Sequence, residues 1–385
     1  MFKNFLQRRS KIQTGSYTCS TNCLWRDFMS INKKTTIVTS VLLSSIFLAG
    51  CGLFGTGEKE KKIDPPKSVN YTDEEMTSTD GSEGTDLEQS GNDAIAGAVQ
   101  TELYLINKDG YVVPQTMALP STESVATQAL EYLVKDGLIT EMLPNGFRAV
   151  LPAETKLSVD IKDKVATVNF SKEFKDYQAE EEMKILQAVT WTLTQFDSVE
   201  KVKFQLNGYV LDKMPVAGTP IGEAFSRNNG INMDTTDVVD LSNTKPVTVY
   251  YLGGEEGSYY YVPVTKRVSN SVNDNIEAAV NELIEGPSYN ANLESDFLAN
   301  VELVEKPIFE DGKVILNFNE AVFSSFEEKI VSRHLLNALV LSLTEQQGVE
   351  SVSVMVNGEA ELVDDKGEKL TEPVTRPQKV NTGSF

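Results

Sequence analysis

Two kinds of hydrophobic pattern alternate along this chain, and they follow the same order in both halves. In some runs every second residue is apolar, as at Val202, Phe204 and Leu206, which is typical of a half-buried strand. In others the apolar residues recur at helical spacing, as at Leu186 and Val189, which is typical of an amphipathic helix. In the first half the patterns predict strands on either side of the turn 107–110 and over 156–161, 165–170 and 200–206, and helices over 123–135 and 179–196.

The second half predicts the corresponding elements. They are strands near 247–252, 258–265, 301–306, 313–318 and 350–356, and helices over 274–285 and 327–346. Each half therefore follows the order β-β-α-β-β-α-β. This order predicts an α+β fold of two tandem domains, over 101–240 and 245–381, each a mainly antiparallel sheet with two helices on one face.

The duplication is also visible in the residues themselves. Residues 192–208 read TLTQFDSVEKVKFQLNG and residues 342–358 read SLTEQQGVESVSVMVNG, and both segments end in Asn-Gly. Further along, Ile231-Asn232 corresponds to Val380-Asn381. A period of about 150 residues is a whole domain, since solenoid repeats are much shorter. We therefore expect two self-contained copies of one domain.

The N-terminus predicts export and lipid attachment. Lys33 and Lys34 precede an apolar run over 37–48, followed by Ala49, Gly50 and Cys51. A basic region, a short apolar run and small residues at a cleavage site predict a secretory signal over residues 1–50. The last residues resemble the lipobox of bacterial lipoproteins, in which diacylglycerol is attached to the cysteine, here Cys51. The alternative is an ordinary cleavage site followed by an incidental cysteine.

Residues 1–28 lengthen this leader beyond the conventional size. A start at Met29 would give a leader of conventional length, so Met29 is the predicted start and Met1 the alternative. Residues 51–100 contain the lipidated cysteine and a segment rich in Gly, Ser, Thr, Asp and Glu, which predicts a flexible acidic linker. Two acyl chains hold a protein stably on a bilayer, so we expect the chain to be anchored to the cell membrane on its extracytoplasmic side.

Charge and cysteine content narrow the functions further. The formal net charge is −21, which predicts repulsion from nucleic acids and from anionic lipid surfaces. Partners should instead be proteins, cations or neutral glycans. Of the three cysteines, Cys19 and Cys23 precede Cys51 in the leader. The mature chain should therefore have neither a disulfide nor a thiolate metal site.

Candidate catalytic residues are scarce. The single histidine, His334, corresponds to Lys184 in the first copy, which predicts a polar surface position. With no second histidine and no free thiol in the mature chain, zinc sites of the usual kind and Ser-His or Cys-His triads are excluded. The acidic runs 180–182 and 327–328 lie at predicted helix starts, where negative charge offsets the helix dipole; the alternative is a pair of glycosidase carboxylates. We therefore expect no enzyme activity, cofactor or metal.

Two features are candidates for a partner surface. Tyr259, Tyr260 and Tyr261 crowd the first predicted hairpin of the second copy, where alternation should turn some rings outward. The alternative is that these tyrosines only reflect strand propensity and one buried face. The segment 145–148, which ends in Arg148, has no close counterpart in the second copy. It is either a turn packed by Phe147 or a binding loop.

Several of these residues together resemble one known family. The lipobox ending at Cys51, the strand Glu102–Leu105, the helix end Val189–Phe196 and the duplicated Asn-Gly stops are similar to lipoproteins of endospore-forming bacteria that carry two tandem GerMN domains. The resemblance extends from about residue 31 to Phe385. It implies a role in sporulation and germination, within the envelope machinery between mother cell and forespore. Related α/β domains there build rings, so a ring-type oligomer is implied as well.

The resemblance carries no catalytic residues. It favours a non-enzymatic assembly component that binds envelope proteins of the sporulation septum. The alternative is a protein that binds or hydrolyses cortex peptidoglycan, for which the compartment and the spare carboxylates are the only support. A solute-binding lipoprotein is less compatible with the sequence, because its lobes would be crossed by interleaved segments.

Overall fold

The computed structural model describes residues 97–236, 238, 241–255, 257–325, 327–370 and 372–382. The predicted signal over 1–50, the alternative start at Met29, the lipidation site Cys51 and the linker up to residue 96 lie outside the described residues. Among the residues that are described, none forms a helix of the length and apolar content needed to cross a membrane.

The first repeat consists of a hairpin, two helices and a four-stranded sheet. Its elements are β1 (Ala98–Ile106), β2 (Val112–Pro120), α1 (Val125–Glu131), β3 (Leu157–Lys162), β4 (Val165–Phe170), α2 (Glu182–Leu193), β5 (Lys201–Leu206) and β6 (Tyr209–Val210). Strands β1 and β2 pair antiparallel. The sheet has the order β3-β4-β5-β6, and β4 is parallel to β5 because α2 crosses over between them.

The second repeat has the same plan with additional short strands. Its elements are β7 (Thr244–Gly253), β8 (Tyr260–Ser269), α3 (Asn275–Glu285), β9 (Ile308–Glu310), β10 (Lys313–Phe318), β11 (Ile330–Val331), α4 (Arg333–Leu343), β12 (Ser351–Val356), β13 (Val363–Asp364) and β14 (Val374–Thr375). Strands β7 and β8 form the hairpin. The larger sheet has the order β14-β12-β10-β9, with β10 parallel to β12.

The predicted α+β class and the order β-β-α-β-β-α-β are confirmed, but two predicted elements are wrong. The strand expected over 301–306 does not form, and only Leu303 makes an isolated bridge, to Phe318. The helix expected from residue 327 begins at Arg333, because Ser332 caps it by accepting hydrogen bonds from backbone N–H groups of its first turn.

The two repeats are packed against each other through one continuous hydrophobic core. Residues 112–117 of β2 are buried on both faces of the strand, and most of β8 is buried in the same way. A strand buried on both faces needs a cover on each side. The helices of its own repeat supply one cover and the hairpin of the other repeat supplies the second. Buried residues of both repeats accordingly form one continuous cluster.

Two asparagines fasten the hairpins to each other by an exchange of hydrogen bonds. Asn232, at the exit of the first repeat, accepts from Val112 N and donates through Nδ2 to the carbonyl oxygens of Val112 and Pro263, at 2.7–2.8 Å. Each asparagine has a left-handed φ, 46° for Asn232 and 55° for Asn381, which asparagine tolerates better than most residues.

Asn381, at the exit of the second repeat, makes the equivalent set. It accepts from Tyr261 N and donates to the carbonyl oxygens of Tyr261 and Pro114, at 2.7–2.8 Å. Each asparagine lies 120 residues from the strand whose N–H it binds. Val112 is therefore the counterpart of Tyr261, and Pro114 that of Pro263, in an arrangement with approximate two-fold symmetry.

We expect Asn381→Ala to lower the free energy of unfolding by about 2 kcal/mol more than Asn357→Ala does. Asn357 has a similar φ of 48° but lies in an exposed turn, so it controls for the backbone conformation. The excess cost arises because the substitution Asn381→Ala leaves backbone groups of β2 and β8 without their hydrogen-bond partners. Urea denaturation measures both variants, and equal losses would contradict the bridging role.

Candidate functional site

The predicted tyrosine surface lies against the first repeat. Tyr260 is 3% exposed, its hydroxyl accepts a hydrogen bond from Asn107 Nδ2 at 2.9 Å, and its ring meets the edge of Phe147 at 5.2 Å. Both of these partners belong to the first repeat. Tyr260, one of the three tyrosines of the predicted partner surface, therefore fills the junction between the repeats and is not available to a partner in this conformation.

Tyr259 and Tyr261 pack on His334, at the start of α4. The Tyr259 ring lies 5.4 Å from the His334 ring, and the Tyr261 hydroxyl lies 3.3 Å from His334 Nδ1 while it accepts from Asn337 Nδ2 at 3.0 Å. His334, predicted at a polar surface position, is half-buried. The reason is local, since the tyrosines of the neighbouring hairpin cover it. A partner role for Tyr259 and Tyr261, which are also half-buried, stays a prediction.

Arg148 lies at the edge of the first hairpin. Its backbone pairs with Ile106 in both directions, at 2.9 and 3.1 Å, and its guanidinium forms an ion pair with Glu181 at 2.8 Å. Lys135 lies 3.6 Å from the same carboxylate. Phe147 is buried, as the turn interpretation predicted. Arg148 is partly exposed, and its role in binding a partner stays a prediction.

The acidic run 180–182 contains a buried carboxylate. Glu182 is 1% exposed and accepts hydrogen bonds from the backbone N–H groups of Val216, Ala217 and Thr219 at 2.7–2.9 Å and from the Tyr177 hydroxyl at 3.0 Å. Burial would raise the pKa of Glu182, but a hydrogen bond with the Thr219 side chain, together with the backbone hydrogen bonds, outweighs it and lowers the pKa to about 2. Glu182 lies in the first turn of α2, as the helix-dipole interpretation predicted, and it also holds the loop 216–219 in place.

A second buried carboxylate, Glu345, joins the repeats. Glu345 lies 2.7 Å from Arg227 and 3.2 Å from Arg376, and it accepts from the Tyr250 hydroxyl at 2.9 Å. Arg227 also stacks on the Trp191 ring at 4.3 Å. Burial would raise the pKa of Glu345, but Arg227 and Arg376 lower it. One carboxylate of the second repeat therefore forms ion pairs with arginines from both repeats.

Sequence reasoning missed this cluster, although a signal for it exists. Arg227 and Arg376 have the same spacing as Asn232 and Asn381, so a comparison of the copies could have paired them. Glu345 corresponds to Gln195 in the first repeat, where the side chain binds the backbone of Glu102 instead. The change from Gln to Glu supplies the charge that the two arginines need.

Two cavities open at the junction. A polar groove of about 650 Å³ lies beside the arginine cluster, and a more apolar pocket of about 420 Å³ lies at the start of α2. The groove is lined by glutamines, threonines and charged residues, including Gln195, Gln347, Thr194, Glu345 and Arg376. The pocket is lined by residues of both repeats, including Tyr111, Met183, Lys184, Met233, Ala291 and Leu293. Within the described ranges, no group of three or more His, Cys, Asp or Glu side chains could hold a metal ion.

Comparison with known proteins agrees with the duplicated fold. Residues 102–212 and 248–362 match the Germane family, described as sporulation and spore germination. The chain is 53% identical over 358 residues to the spore germination protein GerM of Bacillus subtilis (strain 168), which covers 91% of this chain and 98% of that protein. The solved structure of the tandem GerMN domains of the sporulation protein GerM from Bacillus subtilis aligns with a TM-score of 0.71 at 57% identity, over 74% of this chain and 100% of that one.

Proposed function

This chain belongs to the Germane family of sporulation and spore germination proteins, with tandem GerMN domains, and from that membership we propose that it is a membrane-anchored, non-enzymatic assembly component. It binds envelope proteins of the sporulation septum, in the space between mother cell and forespore. Its lipid anchor is Cys51. A ring-type oligomer is part of the proposal.

The main support is that the buried titratable groups already have permanent partners. The lone pairs of Glu182 are occupied by backbone N–H groups, and Glu345 is held by two arginines and a tyrosine. General acid–base catalysis needs a group that can exchange a proton with a substrate near the working pH. A carboxylate with a pKa of about 2 stays ionised, which suits a structural role better than a role in proton transfer.

The shared core supports presentation of one rigid body. Asn232 and Asn381 bind across the repeats, and Arg227 of the first repeat binds Glu345 of the second. Interfaces that are hydrophobic and extensive hold domains together, whereas small polar ones allow them to move. Partners would therefore meet a fixed arrangement of two repeats at the end of a tether.

The anchor is tested by Cys51→Ser in sporulating cells. We expect the variant chain to leave the membrane fraction and the yield of germination-competent spores to fall, because stable anchoring depends on the acyl chains. The double variant Cys19→Ser, Cys23→Ser is the control, since both residues precede the cleavage site and should not matter. Full spore yield with a soluble Cys51→Ser chain would contradict the anchored role.

Binding of cortex peptidoglycan is the second candidate. The polar groove of about 650 Å³ favours it, because glutamine, threonine and arginine side chains can bind hydroxyl and amide groups of a glycan. The purified chain would be sedimented with isolated cortex, and the supernatant assayed for released muropeptides. Binding or release would support this candidate, and absence of both would eliminate it.

A further inference from the structure

The two repeats differ at two pairs of equivalent positions beside the apolar pocket. Val112 and Tyr261 are counterparts through the asparagine bridges, so Gly110 is the counterpart of Tyr259. Lys184 is likewise the counterpart of His334. In the second repeat the Tyr259 ring covers His334. In the first repeat the equivalent ring is missing.

In the first repeat, Lys184 occupies the position of His334 without a ring from the hairpin over it. A Cβ built on Gly110 would lie 2.9 Å from Lys184 Nζ, so the ammonium group lies directly against the position that a side chain at residue 110 would occupy. Gly110 has a φ of 87°, a left-handed value that disfavours a larger residue. Within the part of the chain that is described, Lys184 has neither a hydrogen bond nor an ion pair. The half-buried cation is available to a carboxylate.

The pocket next to Lys184 has the size and lining for an aromatic ring. Its volume is about 420 Å³, and it is lined by Met183 and Met233, which are 43% and 41% exposed. Ala291 and Leu293 of the second repeat also line it. Methionine adapts its shape to aromatic groups and makes favourable contacts with them.

Other groups at the pocket do not neutralise Lys184. Asp234 accepts hydrogen bonds from the Ser288 hydroxyl and from Thr236 N, so its carboxylate is engaged. The rim is held across the repeats by Asn292, whose Nδ2 donates to Asp109 at 2.8 Å. Glu180 lines the pocket but is exposed to solvent.

We infer that this pocket binds an aromatic side chain of a protein partner with a carboxylate beside it. The ring would enter between Met183 and Met233, as Tyr259 covers His334 in the second repeat, and the carboxylate would pair with Lys184. The inference rests on the proposed function as a component that binds other proteins. It assigns the binding to a site formed by both repeats, which neither repeat has alone.

The test uses the full chain in detergent, labelled at its methionine methyl groups, and the dipeptide acetyl-Glu-Tyr-amide as the probe. We expect saturable NMR shifts of the Met183 and Met233 methyl groups. Met142 is the internal control, because it is similarly exposed but does not line the pocket. Acetyl-Glu-Ala-amide lacks the ring and should produce no comparable shifts.

The charge is tested by Lys184→Ala. We expect the affinity for acetyl-Glu-Tyr-amide to fall about three- to five-fold, as for loss of a partly exposed ion pair, and the affinity for acetyl-Gln-Tyr-amide to stay unchanged. Lys203→Ala removes an exposed lysine of β5 and should change neither.

Absence of shifts at Met183 and Met233, equal shifts with acetyl-Glu-Ala-amide, or an unchanged affinity in Lys184→Ala would overturn the inference. None of these results would affect the anchored assembly role, which the Cys51→Ser variant tests separately. Conversely, a soluble Cys51→Ser chain with full spore yield would contradict that role even if the dipeptide bound.

Discussion

Replacing Glu345 by alanine is expected to lower the free energy of unfolding by about 3–5 kcal/mol, because removal of one partner from a buried ion pair leaves uncompensated charge. Glu345 is the shared carboxylate of Arg227 and Arg376, and its side chain is 8% exposed. Both guanidinium groups are about three-quarters covered, so water replaces the lost carboxylate poorly. Since the arginines belong to different repeats, the loss should weaken the junction and the core beneath it together.

Urea denaturation followed by tryptophan fluorescence provides the measurement, because Trp191 lies under Arg227. Glu359→Ala is the matched control. Glu359 also pairs with a cation, Lys329, but both side chains are more than half exposed, so its loss should cost less than about 1 kcal/mol. If the two alanine variants unfold at the same urea concentration, Glu345 does not hold the repeats together.

Replacing Glu182 by glutamine is expected to cost about 3 kcal/mol at pH 7, because lowering the pKa from 4.5 to about 2 corresponds to that much free energy of folding. Glutamine would also turn an N–H group towards donors that Glu182 now accepts from. The loop 216–219 would lose its anchor, while the element order of the repeat would remain.

The cost of Glu182→Gln should depend on pH in one direction. The folded pKa lies below the unfolded value, so the carboxylate contributes its full stability above about pH 4.5 and loses it as the pH falls towards 2. The difference between variant and unaltered chain should therefore shrink over this interval. Urea denaturation at a series of pH values measures it, with the exposed neighbour Glu180→Gln as control. A difference that stays constant to pH 2 would show that the ionised carboxylate is not responsible.

The elements predicted from the sequence are those whose periodicity is clear on one face. Strand β4 was predicted with its observed bounds, and β5 and β12 within one residue, because apolar residues alternate strictly along them. The predicted strand over 301–306 alternates only as far as Leu303, since Val304 is also apolar; Val304 is 51% exposed, and the segment makes a single bridge to the sheet, from Leu303 to Phe318. Alternation indicates that one face of a segment could be buried, but a strand forms only where successive backbone groups pair with a neighbouring strand.

The candidate site was predicted only in part, for a related reason. The crowding of Tyr259–Tyr261 was recognised, but the destination of Tyr260 depends on Phe147 and Asn107, which lie far away in the sequence. The structural roles of Glu182, which binds the loop 216–219, and of Glu345, which pairs with two arginines, were missed. An acidic residue near a helix end looks the same in a sequence whether it is solvated or buried. The pairing of both arginines with Glu345 requires knowledge of the junction.

The sequence by itself determined the duplication, the element order and the acidic, cysteine-poor character of the chain, because these follow from composition and from local periodicity. The tertiary structure decided that the copies pack into one body, that Tyr260 is buried, and that Lys184 lies beside Gly110 where its counterpart His334 contacts the Tyr259 ring. The physical reason is distance along the chain. Contacts at the junction join residues that are far apart in the sequence, such as Arg227 and Glu345, 118 positions apart, and Pro114 and Asn381, 267 positions apart, and no local pattern specifies which of them meet.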